Sequence, residues 1–314
     1  MAARNALDRL FAGGQVLCDG AMGTMLFDRG ISMEHCYEEL NVSLPETVAA
    51  IHAEYLKAGA EVIETNTFGG NAFRLGRHGL RDKVREINVA GVRIARRCVA
   101  SLSGREAYVA GAIGPLGVCL APLGKIGLDQ ARAAFAEQIL ALAGDGEGGG
   151  VDLLTIETMT SIAEVGEAIR AAREVAPRLR IVAMMTVDDD GNCPDGACAE
   201  TAAGHLTELG ADVVGCNCSS GPASVLRAVE LMRGVTHLPL AAMPNAGLPR
   251  TVDGHTAYLV SPEEMASFAL KFIQAGASLI GGCCGTTPDH TRAMESTLRA
   301  FERNAALGQG IAQP

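Results

Sequence analysis

The sequence predicts an α/β fold, a single (β/α)8 TIM barrel. Three observations predict it. Eight short β-branched runs alternate with helix-length segments, several helix-to-strand junctions share one glycine-containing pattern, and no long linker divides the chain. A length of 314 residues would by itself suggest about two domains, but α/β barrels of this size fold as one. The expected organisation is one domain over 1–314, with a short flexible tail from about 303.

The runs, in order, are VLCDG (16–20), EVIETNTF (61–68), YVAGAIG (108–114), VDLLTIET (151–158), IVAMMTV (181–187), DVVGCNC (212–218), PLAAMPN (239–245) and SLIGGCC (278–284). Their near-continuous apolar character marks strands covered on both faces. KAGAEVI (57–63), ELGADVV (208–214) and QAGASLI (274–280) each place glycine where a helix ends in the left-handed conformation before a strand begins. Helix starts are marked too. SPEEM (261–265) offers a Ser N-cap, Pro in the first turn and Glu at the capping-box position, and TPDH (287–290) offers Thr and Pro, with His290 in the first turn. A doubly wound sheet is the alternative, but DGAMGTML (19–26) lacks the GxGxxG spacing that fold uses after its first strand. GDGEGGG (144–150) precedes a strand and lacks a Gly-Lys-Ser/Thr ending, so it reads as a connecting loop.

Composition excludes several classes. A net charge of −10 with scattered Lys and Arg argues against a nucleic-acid surface. No apolar run reaches membrane-span length, and the N-terminus lacks the apolar core of a secretion signal, so the expected location is cytoplasmic. Ten cysteines in such a chain point to metal or catalytic use over disulfides. Cys18, Cys36, Cys98 and Cys119 need no role beyond that of small core hydrophobes.

A barrel places its chemistry at the C-terminal ends of the strands. That rule selects Asp19 and Gly20; Asn66, Thr67 and Phe68; Gly114 and Pro115; Glu157; Asp188; Asn217 and Cys218; Asn245; and Cys283 and Cys284. Thiols on the sixth and eighth strands can meet above the core. Three of them suit zinc and leave a fourth position for substrate. Adjacent strand residues face opposite ways, so Cys283 and Cys284 need a bend, which Gly281, Gly282 and Gly285 permit. Cys216 lies two residues before Cys218, so a closed four-cysteine site is conceivable, although its deeper place favours the core. Cys193 and Cys198 are spaced too loosely to read as a metal site. Taken alone, Cys-Cys could equally be a chance pair of small residues.

DGAMGT (19–24), ETNTFGGN (64–71), GPLG (114–117), GCNCSSG (215–221), PNAGLP (244–249) and GGCCGTTPDH (281–290) together resemble the homocysteine S-methyltransferase family. The match is nearest to the homocysteine-binding module of the cobalamin-dependent methionine synthases and covers about residues 8 to 302. The resemblance implies a methyltransferase that passes a methyl group to a zinc-bound homocysteine thiolate and forms methionine. It implies Cys218, Cys283 and Cys284 as ligands of Zn2+, Glu157 as the carboxylate for the substrate ammonium, and Asp19 and Gly20 as the turn at its amino-acid end. Asn245 matches the side chain that fills the zinc position when substrate is absent. A methylcorrinoid on a separate corrinoid or folate-binding protein is the expected donor.

Betaine and S-methylmethionine are alternative donors. Only 4% of residues are aromatic, none is Trp, and Gly69 and Gly70 follow TNTF, which weakens a cation–π cage for betaine. CPDGACAE (193–200) nonetheless looks nearer the betaine enzymes. Phe68, Phe73 and Tyr258 are the aromatic candidates for a donor site. The long segment AGLPRTVDGHTAYLVSP (246–262), with Asp253 and His255, is expected at the mouth. Two readings of other classes compete: a non-catalytic zinc-binding barrel closed by Cys216, and a phosphate-handling barrel using the glycine turn after the eighth strand.

Overall fold

In a computed structural model the chain is described over residues 5–144, 149–252 and 255–307. Asp253 and most of the 144–150 loop lie outside the described residues. The barrel strands are β1 (Val16–Leu17), β2 (Val62–Glu64), β3 (Tyr108–Ile113), β4 (Leu153–Met159), β5 (Arg180–Met185), β6 (Val213–Cys218), β7 (Leu240–Pro244) and β10 (Ala277–Ile280). They form one parallel sheet in the order β1-β10-β7-β6-β5-β4-β3-β2. A parallel bridge between Cys18 and Val62 brings β1 beside β2, which closes the circuit. Helices follow the strands around the outside, so the architecture is the (β/α)8 barrel the sequence predicts.

Every predicted strand is present, but the ends differ. The first two and the last are shorter than their apolar runs because Asp19, Thr65 and Gly281 onward leave the sheet to build the mouth. Inside the 246–262 segment the chain adds an antiparallel hairpin, β8 (Arg250–Val252) with β9 (His255–Ala257), which the sequence reading did not foresee. An N-terminal helix, Ala6–Phe11, was also missed. It buries Leu10 against the barrel interior formed by Val16, Val62, Leu153, Val182, Val213 and Leu279.

The junction glycines behave as expected. Gly59, Gly210 and Gly276 have φ of 119°, 91° and 91°, the left-handed region that ends a helix. Carboxylates at the strand starts pin neighbouring strands in register. Asp152 accepts the Val109 N–H at 2.7 Å and pairs with Arg96, and Asp212 accepts the Ile181 N–H at 2.8 Å and pairs with Arg173. Ser261 caps its helix by accepting the Glu264 N–H at 3.2 Å. The last helix extends from Pro288 to Ala306. No helix among the described residues is long and apolar enough to cross a membrane.

His52 lies fully buried in the helix Pro45–Ala58, and neither ring nitrogen has a hydrogen-bond partner among the described residues. Burial pushes its pKa down to about 4. In the unfolded chain the imidazole binds a proton near pH 6.5, while the folded protein does not, so stability falls as pH drops from about 6.5 towards 4. The full effect is on the order of 3 kcal/mol. His52→Leu removes the titration, and urea unfolding between pH 4 and 7 should show a flatter pH profile for the variant. Identical profiles would show that His52 carries none of the acid sensitivity.

Candidate active site

The three sulfurs come together where the sequence places them. The Sγ atoms of Cys218, Cys283 and Cys284 lie within 4.8 Å of one another, half-buried at the C-terminal end of the barrel. Two backbone devices achieve this. Cys218 and Ser219 both leave β6 with positive φ, 61° and 62°, a conformation non-glycine residues adopt only where surroundings enforce it. Here Ser219 is tied to the end of β5, accepting the Val187 N–H at 3.1 Å and donating its own N–H to Thr186 Oγ1 at 3.2 Å. The departure from strand geometry also separates Cys218 from Cys216, which stays fully buried, contacts Ser219 Oγ at 3.5 Å and is not part of the sulfur cluster.

The turn after β10 works differently from the sequence expectation. Only Gly285 needs glycine for its backbone angle, with φ of 78°. Gly281 and Gly282 are small because neighbours press on them: a Cβ on Gly282 would stand 2.4 Å from Thr286 Oγ1, and one on Gly281 would stand 2.8 Å from the Cys18 Cβ. Thr286 fastens this turn. Its hydroxyl donates to the Cys283 carbonyl at 2.7 Å and accepts the Ala21 N–H at 3.1 Å. A second chain of bonds runs from the Cys284 carbonyl through Ala246 and Val260 to His290 Nε2, whose ring also accepts the Thr287 N–H. The long segment after β7 is thereby fixed to the ligand turn, and the Tyr258 ring lies against Gly285. Burial and the neighbouring sulfurs push the Tyr258 hydroxyl up to about 12.

The cysteines open onto a cleft of about 220 Å³ lined also by Gly20, Tyr37, Glu38, Glu64, Phe68 and Glu157. No Lys, Arg or His lines it among the described residues. Glu157 is 8% exposed, and its Oε2 accepts from Asn217 Nδ2 at 3.0 Å. Asn217, fully buried, also donates to Thr158 Oγ1 and reaches Cys283 Sγ at 3.8 Å, so one amide joins the carboxylate to the sulfur cluster. Asp19 is buried and does not line the cleft; its Oδ2 accepts the Glu64 N–H at 3.0 Å. Burial first, and then the charge of Glu64, raise the Asp19 carboxyl well above the usual range. Burial, followed by Glu64, Cys218 and Asp19, does the same to Glu157. Burial lifts Glu64 to about 7, against a smaller lowering contribution from Thr155. The cluster is short of positive charge.

Among the sulfurs, contacts from Cys283 and Cys284 pull the Cys218 thiol down to about 3, while the contact with Cys218 raises Cys283 and, against an opposing contact from Cys283, lifts Cys284 to about 12. Asn245 Nδ2 adds a contact to Cys218 Sγ at 3.4 Å and donates to the Ser219 carbonyl at 2.8 Å. Its Oδ1 is buried with no partner among the described residues.

Asn66 also lines the cleft, whereas two other strand-end residues are not at the chemistry. Thr67 is buried and donates to the Ala112 carbonyl, and Asp188 caps its own loop by accepting the Asp190 and Asn192 N–H groups. Cys18 and Cys98 are buried as expected, but Cys119 is exposed and Cys36 half-buried, so neither of those two is a core residue. Phe73 packs away from the cleft; Phe68 lines it. Glu64 and Thr286 were not singled out as site residues from sequence, and Asn217 was selected only by its strand-end position. An acid closing an apolar run was the available signal for Glu64.

Fold and site together define an enzyme barrel whose mouth joins a three-thiol cluster to an acidic cleft. The chain belongs to the homocysteine S-methyltransferase family, whose profile matches residues 16–298. It is 34% identical to a methionine synthase from Mycobacterium leprae over 293 residues, covering 89% of this chain and 24% of that protein. It is also 34% identical to a Mycobacterium tuberculosis methionine synthase over 298 residues, covering 91% and 25%. The chain thus spans about a quarter of the length of these relatives. The metallated homocysteine methyltransferase MmuM from Escherichia coli superposes with a TM-score of 0.77 at 25% identity, covering 93% of this chain and 99% of that one.

Proposed function

We propose that this chain transfers a methyl group to the thiol of homocysteine, forming methionine, with zinc held by Cys218, Cys283 and Cys284. The observation that carries the reading is one cleft that presents three converging sulfurs and buried carboxylates, with no basic side chain in its lining. The donor set fits the metal: soft sulfur ligands from three cysteines are a zinc set that leaves room for substrate, and the Asn245 side chain borders it through its Nδ2 contact with Cys218 Sγ. Bound there, zinc would deprotonate the homocysteine thiol and fix its sulfur.

The protein's own groups do the rest. Glu157, oriented by Asn217, takes the substrate ammonium, while Asp19 holds the Glu64 N–H. Gly20 at the cleft wall has no room for a side chain behind it, since a Cβ there would stand 2.5 Å from Thr286 Oγ1. The thiol proton leaves as the substrate seats. The sulfur lone pair then forms the new carbon–sulfur bond while the donor's bond to methyl breaks, its electron pair staying with the donor. Holding both partners in line turns a bimolecular encounter into a local step.

A protein-borne methylcorrinoid is the donor we favour. Met33, Leu123, Leu248 and Leu259 are exposed, Leu123 at 94%, and all lie in segments that follow β1, β3 and β7 at the mouth. Exposed apolar side chains on these loops are available to another protein surface docking there. Betaine would need an aromatic cage, and the cleft offers only Tyr37 and Phe68. A closed zinc site is disfavoured because Cys216 stands outside the cluster. A phosphate site is disfavoured because the glycine turn's N–H groups are already engaged, Gly282 with the Asp19 carbonyl and Gly285 with Thr24 Oγ1.

The test is a donor panel with homocysteine: methylcobalamin, betaine, S-methylmethionine and methylfolate, scored by methionine formed. Methionine from methylcobalamin is the expected result. Turnover from betaine or S-methylmethionine alone would replace the donor. No methionine from any donor, with no homocysteine binding, would reject the function.

A further inference from the structure

Glu64 has no role in the account above, yet it is placed where it should have one. It closes β2, lines the cleft, and lies with Asp19 and Cys18 in a group whose ligand atoms are within 4.8 Å of one another. The three acids differ in their partners. Asp19 receives the Glu64 N–H on Oδ2 and the Cys18 thiol on Oδ1, at 3.5 Å. Glu157 receives the Asn217 amide. Thr155 acts on the Glu64 carboxyl, but Glu64 Oε1 is enclosed and receives nothing among the described residues. A buried acceptor left without a donor is costly, so its retention calls for a donor that arrives with a ligand.

The chemistry of that donor follows from the surroundings. It must bring positive charge, because the lining is acidic and holds no basic side chain. It must offer more than one N–H group to the acceptors on β2 and β4 that line the cleft. A primary ammonium has three such donors.

We propose that Glu64 is a second acceptor for the substrate's α-ammonium, beside Glu157, and so helps decide that an amino-thiol is bound in preference to a plain thiol. This rests on the homocysteine reading. It makes Glu64 a specificity-determining residue: it touches the end of the substrate remote from the sulfur, so it governs which thiol enters and leaves the metal ligands alone.

Calorimetric titration of the zinc-loaded wild-type and Glu64→Gln proteins tests this, using homocysteine and 4-mercaptobutanoate, the same thiol without its amino group. Glu64→Gln should weaken homocysteine binding by about 10- to 100-fold, the range for a hydrogen bond to a charged group. Binding of 4-mercaptobutanoate should change less than about twofold, and zinc content should stay the same. Glu64→Asp, which keeps the charge but withdraws it, should show a smaller loss for homocysteine alone. Unchanged homocysteine affinity in Glu64→Gln would overturn the assignment, and so would equal losses for both thiols in the two variants. A wild-type protein that bound neither thiol would instead reject the homocysteine reading and this assignment with it.

Discussion

Cys218→Ala should purify folded but without zinc, and its methyl transfer to homocysteine should fall by on the order of 10³-fold or more, the scale of several kcal/mol of lost metal catalysis. The expectation comes from how the cluster is built. Cys283 and Cys284 arrive on one short turn, and Cys218 is the only thiol that reaches them from across the barrel. Two adjacent sulfurs cannot replace a three-ligand set. Folding should survive because Cys218 is half-buried at a strand end and the core beneath it is unaltered. Cys216→Ala is the matched control, fully buried two residues earlier and outside the cluster. It should keep its zinc. Metal analysis of both variants decides the matter, and stoichiometric zinc in Cys218→Ala would remove Cys218 from the ligand set.

Glu157→Ala should lose homocysteine and keep zinc. Truncating one partner of a buried, hydrogen-bonded charge pair costs roughly 2–5 kcal/mol, which is about 30- to 1,000-fold in affinity. The carboxylate is held by Asn217, so removing it takes one acceptor from that buried amide while its bonds to Thr158 remain. The sulfurs do not depend on Glu157 directly: its connection to Cys283 runs through the 3.8 Å Asn217 contact. Calorimetry with homocysteine, beside zinc analysis, separates the two effects. Unchanged homocysteine affinity would move the ammonium elsewhere.

The barrel was legible because burial on both faces writes itself as apolar runs, and because Gly59, Gly210 and Gly276 repeat one backbone requirement. The cysteines were legible as a set because strand ends converge in a barrel, which makes Cys218 and the Cys283–Cys284 pair neighbours despite their separation in sequence. What escaped depended on contacts that no spacing rule encodes. Period-2 alternation put Cys216 and Cys218 on one face, but the positive φ at Cys218 turns the strand end away from that rule. Gly282 looked like a hinge and is instead a space left for Thr286. Glu64 read as part of a strand. Only the surrounding acids and its partnerless oxygen give it meaning. The β8–β9 hairpin escaped because a three-residue strand leaves almost no periodic signal.

Zinc K-edge X-ray absorption of the purified protein, with and without homocysteine, tests the central claim most directly. Three sulfurs should surround the metal before substrate is added and four afterwards, the added one being the homocysteine sulfur. A sulfur count that homocysteine leaves unchanged would contradict the account.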